Sequence, residues 1–142
     1  MSTSEVCIPY SHIHTNMAAG RYSFVIEQGA TVDFEIQYKD SSNQPIDLSG
    51  YSGRMQIRSS VESGAVILAL SSSLALDGTG LNLSGSSGTR PLSSGSIGVY
   101  ISAASSSALD FTTAVYDIEL VSGSRVVRLL EGSVKLSKEV TR

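Results

Sequence analysis

Residues 115–142 read VYDIELVSGSRVVRLLEGSVKLSKEVTR, and their pattern decides the fold class. Tyr116, Ile118 and Leu120 alternate with Asp117 and Glu119. An extended chain with that period of two carries one apolar face and one acidic face. Ser122-Gly123-Ser124 then supplies a tight turn. Residues 125–131 return, Gly132 interrupts, and Val134 and Leu136 open a third run. Three short runs broken at Ser-Gly and Glu-Gly predict a small antiparallel meander.

The same period recurs upstream. In residues 31–39, Val32, Phe34, Ile36 and Tyr38 face one way and Asp33, Glu35, Gln37 and Lys39 the other. So strict an alternation suits a sheet with one buried face, so the four apolar residues are expected in the core. Residues 40–45, DSSNQP, form a turn from side chains that bond their own backbone or fix φ. Met55 and Ile57 alternate with Arg54, Gln56 and Arg58. Residues 22–26 and 66–70 are further strand candidates, and Ile97, Val99 and Ile101 share a face around Gly98, where another backbone comes close. Residues 77–90 are the loosest stretch, an exposed loop around a brief strand at Leu81 and Leu83. Residues 102–109, SAASSSAL, are the one helical candidate, with Ser102 as its cap. Short strands separated by turns every 8–12 residues or so are the signature of a sandwich or barrel. The expected fold is all-β: an antiparallel β-sandwich, immunoglobulin-like or jelly-roll-like, with at most one short helix. Residues 1–20 have weak periodicity and read as an N-terminal arm, leaving 21–142 as the sandwich domain.

Composition supports a single domain. The chain has 142 residues, long enough to bury a core without disulfides. Ser makes up roughly a fifth of it, well above ordinary usage, while charged residues are 16%. Net charge is −3, which does not favour a nucleic-acid partner. Cys7 is the only cysteine, so there is no internal disulfide, which fits assembly in a reducing cytoplasm. The opening residues lack the basic and apolar regions of a secretion signal, and no apolar run reaches the ~18 residues of a membrane span.

A search for chemistry leaves no catalytic constellation. His12 and His14 point the same way in an extended segment and could share a metal with Cys7. The Cys-x4-His-x-His spacing, however, lacks the pairs of zinc modules, so no metal ligand and no cofactor is expected. No Gly-x-Ser-x-Gly elbow is present, and two histidines in an arm are badly placed to activate a core serine. Asp33/Glu35 and Asp117/Glu119 could flank a sugar, but outward carboxylates on a half-buried strand read as solvated surface. DGTGLNLSG, from Asp77, lacks the acidic spacing of a calcium loop. An enzyme is not expected.

Two segments carry a resemblance. The first is PIDLSGYSGRMQIR at residues 45–58, preceded by FVIEQGATVDFEIQY at 24–38; the second is the YDIEL, turn, RLLEG and terminal VTR series of 115–142. They resemble small structural proteins of tailed-bacteriophage virions, found in tail, baseplate or neck, and the N-terminal domains of baseplate upper proteins. The resemblance implies a sandwich-fold building block of the virion, assembled in the host bacterial cytoplasm and working as a homo-oligomer or symmetric ring with other virion proteins; its motifs are packing motifs and identify no active site. A capsid-decorating protein is the alternative, and a carbohydrate-binding adhesion module is the alternative of another class; the absence of Trp argues against the latter. In such an assembly the arm's Ile8, Tyr10, Ile13 and Met17, costly to leave in water, are expected on a neighbouring protein. Arg125, Arg128 and Arg142 are expected to meet acidic neighbours, since the guanidinium fork pairs with carboxylates and keeps its charge on burial.

Overall fold

The computed structural model describes residues 20–62 and 65–140, together with the backbone of residues 4–8 and 11–15. Its strands are β1 (Ser4–Ile8), β2 (Ser11–Thr15), β3 (Gly20–Arg21), β4 (Phe24–Glu27), β5 (Val32–Asp40), β6 (Ser52–Arg58), β7 (Val66–Ser71), β8 (Gly80–Asn82), β9 (Ser96–Ile101), β10 (Thr113–Ser122) and β11 (Arg125–Ser137). They form a β-sandwich. One sheet runs β2-β1-β5-β9-β8, and the other runs β3-β11-β10-β6-β7 with β4 also on β11. The core lies between them, with Ile36, Ile97, Val99 and Ile101 from the first sheet against Met55, Ile57, Ile118 and Leu120 from the second.

The alternation read from the sequence sets which residues enter that core. Tyr116, Ile118 and Leu120 are buried, as are Met55 and Ile57. In β5 the expectation holds for Ile36 and Tyr38, whereas Val32 and Phe34 are only half-buried. They sit at the opening between β4 and β5, where Phe34 joins Phe24 and Tyr22 in a cluster of rings 5.2–6.1 Å apart.

Gly132 does not end a strand. β11 runs through it for 13 residues, so the expected three-stranded meander is a two-stranded hairpin. The glycine is needed for space, because a Cβ there would lie 2.0 Å from the Tyr22 carbonyl oxygen. The Tyr116 hydroxyl donates to that same oxygen. This close crossing also interrupts the neighbouring edge, where β3 and β4 pair separately with β11, both parallel to it. The sandwich is otherwise antiparallel in its pairings.

Gly98 behaves as its position suggested. A Cβ there would come within 2.7 Å of the Ser86 amide nitrogen, so the loop after β8 lies directly on the outer side of β9. The helical candidate is a five-residue helix, α1 (Ala103–Ser107), capped by Ser102 Oγ, which accepts from the Ser105 amide at 3.0 Å. Asp77 ties this cap to the preceding loop. One of its oxygens accepts from Ser102 Oγ at 2.6 Å and Ser105 Oγ at 3.1 Å, and the other from the Thr79 amide at 3.0 Å. These bonds favour the ionised form, and they hold the Asp77 carboxyl down at about 2.

The stretch expected as a separate arm contributes strands to the first sheet. β1 pairs antiparallel with β5, from Ser4 opposite Asp40 to Cys7 opposite Gln37, and β2 pairs with β1. An edge strand offers unpaired N–H and C=O groups, and here the chain's own first strand takes them. The boundary placed after residue 20 falls inside β3.

Candidate interaction face

The outer face of the second sheet follows from the residues that alternate with its core. β6 presents Arg54, Gln56 and Arg58; β10 presents Asp117 and Glu119. The register sets Arg54 beside Glu119 and Gln56 beside Asp117. On the other side of β10, Glu119 faces Arg128 and Asp117 faces Glu131, while Glu131 is also flanked by Arg21 of β3. Three arginines, Arg21, Arg54 and Arg128, thus meet three carboxylates, Asp117, Glu119 and Glu131.

A bulge makes this arrangement possible. The register of β10 on β11 shifts between Ile118 and Glu119, so Ile118 pairs with Leu130 and Glu119 with Arg128. Leu129 is the extra residue, and both Leu129 and Leu130 are buried. Consecutive residues of a regular strand point to opposite faces, so without the bulge one leucine would face outward.

The charges differ in how firmly they are held. Arg54 Nε donates to Glu119 Oε1 at 2.7 Å, a charge-assisted hydrogen bond. Arg128 is held loosely: its nitrogens lie 3.7 Å from Asp117, 3.9 Å from Glu131 and 4.0 Å from Glu119. Asp117 has its pKa raised, first by desolvation and then by the Glu119 charge, with Arg128 acting in the opposite direction. The Glu131 charge directly opposite Asp117 adds to that upward push. Over this face runs a groove of ≈ 600 Å³ whose lining includes Arg21, Gln56, Arg58, Asp117, Arg128 and Glu131. Beneath it the buried Tyr116 phenol has its pKa pushed up, chiefly by desolvation.

The sequence-predicted residues fall in different places. Arg128 sits inside this charge lattice, among carboxylates of its own chain, because the bulge brings it back over Asp117 and Glu119. Arg125 is exposed at the β10–β11 turn, opposite Ser122, and is not part of the lattice. Arg142, Tyr10 and Met17 lie outside the described residues, as do the side chains of Ile8 and Ile13. His12 and His14 are placed in β2 by backbone alone. Arg21 and Arg54 were not singled out from sequence. The signal for Arg54 was present: RMQIR and YDIEL carry opposite charges on their outward positions, as neighbouring strands would.

On this face four arginines, Arg21, Arg54, Arg58 and Arg128, interleave with three carboxylates, Asp117, Glu119 and Glu131. Interleaved charges of both signs suit a protein surface with the complementary pattern. Among the described residues no group of three or more His, Cys, Asp or Glu is placed to hold a metal ion, and no helix is long and apolar enough to cross a membrane. No protein-family model matches the chain, and no curated protein matches it significantly in sequence.

Proposed function

We propose that this chain is a structural protein of a tailed-bacteriophage virion, built into the tail, baseplate or neck as a homo-oligomer or symmetric ring. It acts by assembly, without turnover. The observation that carries this reading is the position of the two resembling segments. Residues 45–58 and 115–142 supply β6, β10 and β11, which are adjacent in one sheet. The resemblance therefore falls on one packing unit, whose outer side is the charge lattice. A sugar-binding role is less well supported. Among the described residues every aromatic side chain is buried or half-buried, and protein–sugar contacts commonly stack on well-exposed rings.

Quantitative mass spectrometry of purified particles from the strain that encodes the chain tests the proposal. The expected result is the protein in the particle fraction, at a fixed multiple relative to the other virion proteins. Its absence from particles, with the protein found only in the lysate, would overturn the reading.

A further inference from the structure

We propose that Arg125 of one copy of this chain inserts into an acidic cavity on the outer side of the first sheet of the next copy. The inference deepens the assembly reading and rests on it, since it names a contact by which copies join.

The cavity follows from the period of two. Val32 and Phe34 of β5 and Val99 and Ile101 of β9 face the other sheet, so Asp33 and Tyr100 face outward. The register sets Asp33 beside Tyr100, and Tyr100 beside Gly80 of β8. Two loops wall this patch. Gly78 lies so close to the Tyr100 ring that a Cβ there would come within 3.3 Å of it, and Ser86 lies over Gly98. The space between is ≈ 290 Å³, and its lining includes Asp33, Asp77 and Tyr100 but no basic residue. Small-molecule sites run to about 300–1,000 Å³, so this recess suits one long side chain.

Its chemistry calls for a planar cation. The Asp33 carboxylate is exposed and has no hydrogen bond or ion pair among the described residues. Asp77 is held ionised. Its Oδ2 accepts from two serine hydroxyls, whereas its Oδ1 accepts only from the Thr79 amide. A carboxylate oxygen has room for a second donor, so Oδ1 can take one more. A guanidinium can bond both carboxylates with its fork while its face stacks on the Tyr100 ring. Arg90, on the neighbouring loop, is engaged with Glu35 at 3.4 Å.

The chain carries a matching arginine that its own fold leaves unused. Arg21, Arg54, Arg90 and Arg128 have carboxylate partners, and Arg58 donates to Gln56. The Arg125 guanidinium has no partner among the described residues. It stands at the tip of the β10–β11 hairpin, where a Cβ at Gly123 would meet nothing within 4 Å, so the tip projects clear of the molecule. A projecting turn can enter a recess, whereas Lys135, in the middle of β11, cannot. Arg125 does not serve the cavity of its own copy. It ends the second sheet, while the cavity opens on the far side of the first, with the core between them. Tip and cavity are different surfaces, so the contact is head-to-tail and builds a ring if the rotation closes.

Charge reversal on each side supplies the test. Full-length wild type, Arg125→Glu and Asp33→Lys are compared by sedimentation velocity, alone and with the two variants mixed in equal amounts. Both substitutions replace exposed side chains without partners in the fold, and circular dichroism checks that the sandwich is retained. The expected result is multimers for wild type, monomers for each variant alone, and dimers for the mixture. The intact cavity of Arg125→Glu accepts the intact Arg125 of Asp33→Lys, and that pair cannot grow further. Wild type that sediments as a monomer would overturn the proposal and leave the cavity to a cation from another protein. A variant that keeps the wild-type multimer, or a mixture that stays monomeric, would overturn it as well. None of these failures touches the virion reading, which the composition of particles decides separately.

Discussion

Phe34 and Ile118 both lie on the apolar side of an alternating strand, yet their contributions to stability differ. Ile118 has no exposed surface, while Phe34 is half-buried at the opening between β4 and β5. Truncating a fully buried Ile costs about 2–5 kcal/mol, through lost transfer energy and the cavity left behind. Urea unfolding of Ile118→Ala should show a loss in that range. Phe34→Ala should fall below the 3–5 kcal/mol or so that a buried Phe commands, because water already reaches one side of the ring and solvent can fill part of the space. Equal losses at the two sites would contradict the burial described here.

Asp77 gives a prediction of a different kind. Its carboxyl is held at about 2, against 3.8 for the ordinary group, first by the Ser102 hydroxyl and then by the Thr79 amide. A carboxyl with a folded pKa below its unfolded value contributes stability above the unfolded pKa and loses it as pH falls through the folded one. Wild type should therefore be more stable than Asp77→Asn near neutral pH. The gap should narrow as pH drops from 3.8 towards about 2. Thermal unfolding of the two proteins across that range checks it, and a constant gap would mean that the Ser102 and Ser105 bonds do not depend on the charge.

At the scale of elements, the strands with one buried face were legible because burial on one side imposes a period of two. β5, β6 and β10 show it, whereas β9 is covered on both sides, its outer one by the loop at Ser86. What was not legible depends on contacts between segments distant in sequence. Gly132 reads as a break, yet it marks the crossing of Tyr22 over β11, more than a hundred residues apart. Leu129-Leu130 reads as an apolar run, yet only the bulge opposite Ile118 turns both inward. The parallel pairing of β3 and β4 leaves no local pattern at all. The charge lattice was half legible: opposite charges on RMQIR and YDIEL are visible, but their adjacency is a matter of topology. Gly132→Ala should push the Tyr22 carbonyl away and break the Tyr116 bond to it, while leaving β10 paired with β11. Amide hydrogen exchange should then show lost protection at Tyr22, whose amide donates to the Glu131 carbonyl, and retained protection along β10. Unchanged protection at Tyr22 would show that the crossing has room for a methyl group.

For the whole molecule, the division of labour between the hairpin and the sandwich is the next question. The core described here joins β4 through β11, on both sheets. Removing residues 1–19 should leave a cooperatively unfolding β protein by circular dichroism and urea titration. Loss of cooperative unfolding would instead make the hairpin part of the folding unit. The Arg125 tip and the charged face matter only if copies meet one another and other proteins in a particle. Electron cryomicroscopy of intact virions tests that most directly. The account predicts density that fits this sandwich, repeated around a symmetry axis in tail, baseplate or neck, with the charge lattice or the Arg125 tip at subunit boundaries. Particles resolved throughout those regions with no such density would contradict it.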